Sequence, residues 1–135
     1  MKVFPDANIL FSASNPQWLT RHLLHALEQS GAALTSSDYV WDEAERNVRS
    51  HFPEYLEELG KLRSRLEWIQ DPILPEGLLE ILPQKDRPVL AAAIRGKCTY
   101  LVTGDYQHFG DLMGLTLSGV KIVSQRLMAE ELNQH

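Results

Sequence analysis

Short apolar segments and helix-forming segments alternate along this chain, and the alternation restricts the fold more than any single motif does. Turn-forming residues separate the segments, and no internal repeat or low-complexity tract interrupts the order. Alternating strands and helices are typical of an α/β fold with a parallel sheet. We therefore predict an α/β fold whose five strands lie at residues 1–4, 32–35, 67–69, 100–103 and 120–123.

The helices are indicated by capping residues and by apolar side chains at helical spacing. Asn15 followed by Pro16 is a common way to open a helix, and we expect this helix to run to about Ser30. Segment 71–83 is rich in proline and predicts a loop with one helical turn at 78–82. Further helices are predicted at residues 39–51, from Pro53 onward, at 88–96 and at 125–132.

The bulk composition is that of an ordinary globular domain. The 135 residues suit one domain, residues 1–135, and the single cysteine allows no internal disulfide. No apolar run approaches the roughly 20 residues of a membrane helix, and the N-terminal segment lacks the apolar core of a signal peptide, so we expect a cytoplasmic protein without a membrane partner. The net charge of −5 argues against a broad electrostatic grip on nucleic acid, although catalytic acids contribute to it and bound metal cancels part of it.

Four acidic residues stand where one end of the predicted sheet can collect them. Asp6 directly follows the first strand, and Asp105 directly follows the fourth. Ligands of open parallel sheets bind outside the carboxyl ends of the strands. Asp86 precedes the helix that leads into the fourth strand, and Glu43 lies near the start of the helix after the second strand. All four carboxylates can therefore reach one edge of the sheet.

Carboxylates gathered at one edge indicate a cation. They repel each other unless they are protonated or bridged by a metal ion. Oxygen ligands suit Mg²⁺ or Mn²⁺, which bind phosphate oxygens and activate water. The arrangement therefore predicts hydrolysis of phosphodiester bonds.

Each acid also has a structural interpretation. Asp6 could form an Asx turn, Asp86 could cap the helix that follows it, and Asp105 could occupy a turn. Glu43 has two acidic neighbours, and such a run is usually a solvated helix face. The combination of the four residues, rather than any one of them, favours a metal site.

The segments that contain these acids resemble, in order, the four motifs of the PIN-domain family. The resemblance extends from residue 3 to about residue 123. The four segments are VFPDANILFS with Asp6, SDYVWDEAERNV with Glu43, KDRPVLAAA with Asp86 and LVTGDYQHFG with Asp105.

This resemblance implies a three-layer α/β/α, Rossmann-like PIN fold with a parallel five-stranded sheet in the order 3-2-1-4-5. It also implies an endoribonuclease that cleaves RNA with Mg²⁺ or Mn²⁺, in which Asn8 and Thr103 support the metal ligands. Many single-domain PIN proteins are toxins of toxin–antitoxin pairs, so an antitoxin partner and a homodimer are implied as well. The catalytic metal ligands implied by the resemblance are Asp6, Glu43, Asp86 and Asp105.

Three residues close to the acids within these segments are candidates for substrate binding. Arg46 and Arg87 could hold phosphates, although Arg46 could instead pair with Glu43, three residues before it. His108 lies three residues after Asp105 and could contact phosphate or metal. Packing within the loop is the ordinary role for a histidine at such a position.

Two other functions are compatible with parts of the sequence. A catalytically silent PIN-like module would bind RNA or protein without cleavage, which the presence of all four acids disfavours. A receiver-like phosphoacceptor domain also places Asp around Mg²⁺, but here Asp6 has no acidic neighbour and Lys121 lies inside the last strand. A P-loop hydrolase is excluded, because the sequence has no Gly-x-x-x-x-Gly-Lys pattern.

Overall fold

A computed structural model describes residues 1–73 and 77–134. In these residues six strands form one sheet, and four pairs of neighbours are parallel. The strands are β1 Lys2–Pro5, β2 Ala33–Ser36, β3 Glu67–Trp68, β4 Tyr100–Val102, β5 Thr116–Leu117 and β6 Val120–Val123. Their order is β3-β2-β1-β4-β6-β5. The five predicted strands are therefore present, in the order that the PIN resemblance implies.

The expectation of a wholly parallel, five-stranded sheet is wrong at one edge. The additional strand β5 is antiparallel to β6 and pairs Leu117 with Val120. Ser118 and Gly119 join the two strands with φ angles of 48° and 86°. Two successive positive φ angles are the backbone of a tight hairpin turn. A strand of two residues shows no alternation of its own, so the sequence pattern does not indicate it.

Helices cover both faces of the sheet. Crossovers between parallel strands are right-handed, so the change of direction in strand order at β1 places the connecting helices on opposite faces. The buried central strands β1 and β4 agree with this three-layer arrangement. In the described part of the chain the α-helices are α1 Ala7–Ala13, α2 Leu19–Gln29, α3 Asp38–His51, α4 Leu56–Arg63, α5 Arg87–Arg95, α6 Tyr106–Phe109 and α7 Gln125–Asn133.

The connection between β1 and β2 differs from the prediction. Helix α1 follows β1 directly and buries four apolar side chains, although the sequence pattern does not indicate a helix there. The predicted helix at Asn15 begins only at Leu19. The Asn15 side chain accepts a hydrogen bond from the N–H of Gln17 at 3.0 Å, so it holds a turn instead of capping a helix.

Most of the other helices lie close to their predicted positions. Ser37 caps α3 by accepting a hydrogen bond from the N–H of Val40. A 3₁₀ turn at Leu78–Ile81 occupies the place of the helical turn expected at 78–82, and residues 74–76 of the same segment lie outside the described residues. None of the helices in the described ranges combines the length and apolar character that a membrane-spanning segment requires.

The pairing of β1 with β4 fixes the edge at which the candidate site lies. Pro5 pairs with Val102 at the carboxyl ends of the two strands. The N–H of Asp6 donates a hydrogen bond to the carbonyl of Val102 at 2.8 Å. Asp6 and Thr103 therefore leave neighbouring strands side by side.

Candidate metal centre

Asp6 is a buried carboxylate with partners on both oxygens. Only 4% of the residue is exposed. The N–H of Ala7 donates to its Oδ1 at 2.7 Å, and the hydroxyl of Thr103 donates to its Oδ2 at 2.8 Å. Burial raises the pKa of Asp6 to about 6, although the hydrogen bond from Thr103 acts in the opposite direction. Asp6 therefore makes the local backbone contact of a turn residue with one oxygen, while its other oxygen is held by Thr103.

Asn8 and Thr103 connect Asp6 with the chain that leads to Asp105. The amide nitrogen of Asn8 donates to Oδ2 of Asp6 at 3.3 Å and to the hydroxyl of Thr103 at 3.4 Å. The amide oxygen of Asn8 accepts from the N–H of Gly104 at 2.7 Å. The hydroxyl of Thr103 accepts from the N–H of Asp105 at 3.1 Å. These contacts fix the backbone on which Asp105 stands.

Asp86, Asp105 and His108 form a compact group of ligand atoms. Nδ1 of His108 lies 2.9 Å from Oδ2 of Asp86 and 2.8 Å from Oδ2 of Asp105. One potential ligand atom from each residue lies within 4.8 Å of the others. Asp105 also caps α6, because its Oδ1 accepts from the N–H of His108 at 3.1 Å. The turn interpretation of Asp105 is thus correct for one oxygen, while the other faces the group.

Two atoms of this group are buried without a hydrogen bond. They are Oδ2 of Asp86 and Nδ1 of His108: neither forms a hydrogen bond within the described residues, and their contact with each other at 2.9 Å is that of an ion pair. Asp86 stands at the N-cap position of α5, but its side chain does not cap the helix. Burial raises the pKa of Asp86, the charge of Asp105 raises it further, and His108 lowers it. Buried polar atoms in native proteins nearly always form hydrogen bonds, so these two atoms are candidates for contact with a ligand.

Glu43 approaches the same region from α3 but lies outside the compact group. Its negative charge, together with that of Asp86, adds to the raised pKa of Asp6. Tyr39, one turn earlier on α3, donates its hydroxyl to the carbonyl of Lys85 at 2.6 Å. Burial raises the pKa of Tyr39, and the charge of Glu43 raises it further. The loop before Asp86 is therefore attached to the helix that carries Glu43.

These donors fit a divalent cation. Carboxylate oxygens are the ligands that Mg²⁺ and Mn²⁺ prefer, and Oδ2 of Asp86, which contacts the ring nitrogen of His108, has no hydrogen bond to give up. A cation would also compensate the burial of charge that raises the pKa of Asp6 and of Asp86, together with the smaller effect of repulsion between the acids. Such a centre can neutralise charge on a phosphate group and activate water.

The two arginines have different surroundings. Arg87 donates from Nε to the carbonyl of Leu82 at 3.0 Å, so it fastens the loop before α5. Arg46 is exposed on α3 and lowers the pKa of Tyr39 by its charge. Within the part of the chain that the structure describes, Arg46 forms no ion pair with Glu43. Arg46 is consequently the more accessible of the two for a phosphate group.

His108 has a more central position than its sequence context indicates. The ordinary expectation for this residue is packing within a loop, but its ring nitrogen lies between two carboxylates. The available signal is the spacing Asp105-x-x-His108, which places both residues on one turn of a helix. That signal becomes specific only when the loop carrying Asp86 is known to pack against the same turn.

Comparison with known proteins gives a match in fold. No family model matches the sequence, and no curated protein matches it significantly. A chain in the crystal structure of VapBC2 from Rickettsia felis, bound to a DNA fragment from their promoter, is similar to this chain with a TM-score of 0.69 and 20% identity. The match covers 92% of this chain and 98% of that chain. A likeness at this identity concerns the fold, and it confirms the α/β fold class that the sequence and the PIN resemblance predict.

Proposed function

We propose that this protein is a metal-dependent endoribonuclease that hydrolyses phosphodiester bonds of RNA. The observation that carries the proposal is the buried Oδ2 of Asp86, which forms no hydrogen bond within the described residues and lies in one compact group with Asp105 and His108 at the edge where Asp6 leaves β1. Burying carboxylates is unfavourable unless a cation or hydrogen bonds compensate them. The four PIN-like motifs that contain the acids, and the fold shared with a chain of VapBC2, support the same activity.

Each acid has a distinct part in this proposal. A bound Mg²⁺ or Mn²⁺ supplies Lewis acidity, which neutralises charge on the scissile phosphate and activates water. Asp86 offers its buried Oδ2, and Asp105 holds its second oxygen towards the same point. Asp6 is held on both oxygens, by the N–H of Ala7 and the hydroxyl of Thr103. Glu43 adds negative charge from α3 and completes the set of metal ligands.

We propose that RNA phosphates are held mainly by Arg46. This side chain is exposed and lies three residues after Glu43 on the same helix. The chain has 18 acidic against 13 basic side chains, and this net charge of −5 disfavours a broad electrostatic grip on a polyanion, so a local contact is needed next to the metal. The engaged Nε of Arg87 makes that residue the weaker candidate.

Cleavage of single-stranded RNA tests the proposal. Purified protein is incubated with a mixed-sequence reporter in Mn²⁺, with EDTA as the metal-free control. Asp105→Asn should abolish cleavage, because it removes a ligand while retaining the size of the side chain. Asp111→Asn is the matched control: it lies in the adjacent exposed turn and should leave the rate unchanged.

The outcomes separate the enzyme from the silent module. Cleavage that disappears with EDTA and in Asp105→Asn supports the endoribonuclease. Cleavage that persists in Asp105→Asn indicates a contaminating ribonuclease. Mn²⁺ binding without cleavage of any RNA offered would instead favour a PIN-like module that binds RNA or protein.

We also propose that the protein is the toxin of a toxin–antitoxin pair. The PIN-like motifs and the fold shared with a chain of VapBC2 support this assignment. Induced expression of the wild-type chain should then arrest bacterial growth, whereas expression of Asp105→Asn should not. Equal growth of both strains would contradict a toxin role without affecting the assignment of the metal site.

A further inference from the structure

His108 lies in the compact group but is not among the four residues proposed above as metal ligands. Nδ1 of His108 is buried, lacks a hydrogen bond and lies between carboxylate oxygens of Asp86 and Asp105. Asp86 itself is only 8% exposed, and its Oδ2 lies 2.9 Å from that nitrogen without forming a hydrogen bond. A buried nitrogen and a buried oxygen at ion-pair distance, with no hydrogen bond within the described residues, point to a shared ligand.

We infer that His108 is a nitrogen ligand of the bound metal and that the site consequently takes Mn²⁺ in preference to Mg²⁺. This inference rests on the proposed metal-dependent function and adds a fifth ligand to it. The site would then combine imidazole with carboxylates instead of being purely acidic.

The distances within the group agree with one ion bound by all three residues. In octahedral coordination with bonds of about 2.1 Å, neighbouring ligand atoms are about 3 Å apart. The separations of 2.9 Å and 2.8 Å from Nδ1 of His108 to the two carboxylate oxygens are close to that spacing. Both contacts of the ring nitrogen therefore have the spacing of neighbouring ligands around one ion.

The metal preference follows from the donor atoms. Mg²⁺ is a hard ion that prefers oxygen ligands and keeps several waters. Imidazole nitrogen is a softer donor than a carboxylate oxygen and suits transition-metal ions, and Mn²⁺ is the transition-metal ion that carboxylates also suit. An imidazole ligand therefore adds more affinity for Mn²⁺ than for Mg²⁺.

The competing explanation is that His108 only holds the carboxylates apart or neutralises them. In that case the ring would be displaced from the metal, or would donate a proton to one oxygen, and the bound ion would have oxygen ligands alone. The two explanations differ in whether a nitrogen nucleus lies directly beside the metal.

Pulsed electron paramagnetic resonance of the Mn²⁺-loaded full chain measures this difference. The wild-type spectrum should contain a nitrogen coupling, and that coupling should change to the ¹⁵N pattern when the histidines carry ¹⁵N. His108→Gln should remove it. His25→Gln is the matched control, because His25 is exposed on α2, and the coupling should persist in that variant.

Calorimetric titrations of the same variants measure the preference. His108→Gln should weaken Mn²⁺ binding by about tenfold or more, as expected when a site loses a group that contacts or orients its metal. Mg²⁺ binding should weaken by a smaller factor, so that the ratio of the two affinities falls. Equal losses for the two ions would contradict the proposed preference.

The results distinguish failure of this inference from failure of the proposed function. Wild-type protein that binds Mn²⁺ without a nitrogen coupling would overturn the role of His108 and leave the acidic metal site intact. A coupling that persists in His108→Gln would also overturn it. Wild-type protein that binds no Mn²⁺ would overturn the metal site itself. The labelled wild-type spectrum needs no variant, so poor folding of His108→Gln would not prevent a decision.

Discussion

Asp6 is a carboxylate that the fold removes almost completely from water. Its pKa of about 6 lies above the ordinary value of 3.8 because burial disfavours the charged form. An acid with a raised pKa binds its proton more tightly in the folded than in the unfolded chain. Its charge therefore opposes folding progressively as the pH rises from about 4 to above 6, and this destabilisation is absent at lower pH.

Asp6→Asn should accordingly stabilise the metal-free protein more at neutral than at acidic pH. A pKa difference of about two units corresponds to about 3 kcal/mol at roughly 1.4 kcal/mol per unit. The advantage of the variant over the wild type should rise by up to that amount between pH 4 and pH 7.5. Urea unfolding of both proteins in EDTA measures it, because any fixed effect of the amide on hydrogen bonding is the same at both pH values.

Asp42→Asn is the control for this measurement, since Asp42 is exposed on α3. Its difference from the wild type should change little with pH. If Asp6→Asn behaved in the same way, or lost stability as the pH rose, burial of the Asp6 charge would not be the dominant effect.

Gly104 is a second residue whose role in the site can be tested by one substitution. A Cβ built at this position would lie 3.2 Å from Oδ1 of Asn8, the atom that accepts the Gly104 N–H. Gly104→Ala should displace Asn8 and loosen its contacts with Asp6 and Thr103. We expect Mn²⁺ affinity to fall by about tenfold, the lower end of what disturbing such supporting residues produces.

Gly110→Ala is a matched control for Gly104→Ala, because a Cβ at Gly110 would meet nothing within 4 Å. Calorimetric titration with Mn²⁺ should give wild-type affinity for Gly110→Ala. Unchanged affinity in Gly104→Ala would mean that the Asn8 contacts do not support the site.

At the scale of the elements, amphipathic helices and buried strands are predictable from the sequence, and short or irregular elements are not. The periodic side chains of α3 and the apolar run of α5 place these helices within one or two residues. In α1 the apolar residues Ile9, Leu10 and Phe11 are contiguous, so helical periodicity is not visible. The predicted start of α2 is wrong because an Asn can either cap a helix or form an Asx turn. The residue alone does not determine which of the two Asn15 forms, and in the structure it forms the turn.

The location of the candidate site is predictable to a similar extent. Acids that follow β1 and β4 must lie near one another once these strands are parallel neighbours. The relation of His108 to Asp86 depends on how the 3₁₀ turn at Gln84–Asp86 packs against α6, and no local pattern in the sequence encodes that contact.

Helix α4 and the edge strand β3 are joined by a contact whose strength can be measured. The guanidinium of Arg63 lies 4.6 Å from the ring centre of Trp68 and 5.3 Å from that of Trp41. Arg63→Met should lower the free energy of unfolding by about 1 kcal/mol, since it removes a cation from two aromatic rings. Urea unfolding followed by tryptophan fluorescence provides the measurement.

Arg126→Met is the control for Arg63→Met. Arg126 is exposed on α7 and, among the residues that the structure describes, forms an ion pair with Glu130 alone, at 3.3 Å. An exposed pair of this kind contributes about 0.5 kcal/mol or less. Equal losses in the two variants would show that the rings around Arg63 add nothing to an ordinary surface charge.

At the scale of the whole molecule, folding gathers negative charge at one edge of the sheet, and a bound cation would compensate that charge. The chain carries a net charge of −5, and its most buried acids, Asp6 and Asp86, lie at one edge of the sheet. A cation at that edge relieves a destabilisation that no contact within the described residues removes. Binding should therefore stabilise the fold as a whole, with protons competing for the same oxygens.

Mn²⁺ should raise the free energy of unfolding more at pH 7.5 than at pH 5. At a free concentration of 100 times Kd, the linkage between binding and folding is worth about 2.7 kcal/mol. At pH 5 the carboxyl of Asp6 is largely protonated, because its pKa is about 6, and Mn²⁺ must displace that proton. Urea titrations at one fixed Mn²⁺ concentration and at both pH values, with Asp86→Asn in parallel, measure the effect.

Asp86→Asn should lose most of the stabilisation at either pH, because it lacks the charged carboxylate that Asp86 offers to the metal. Stabilisation of equal size at both pH values, or stabilisation that survives in Asp86→Asn, would mean that Mn²⁺ binds elsewhere on the acidic surface.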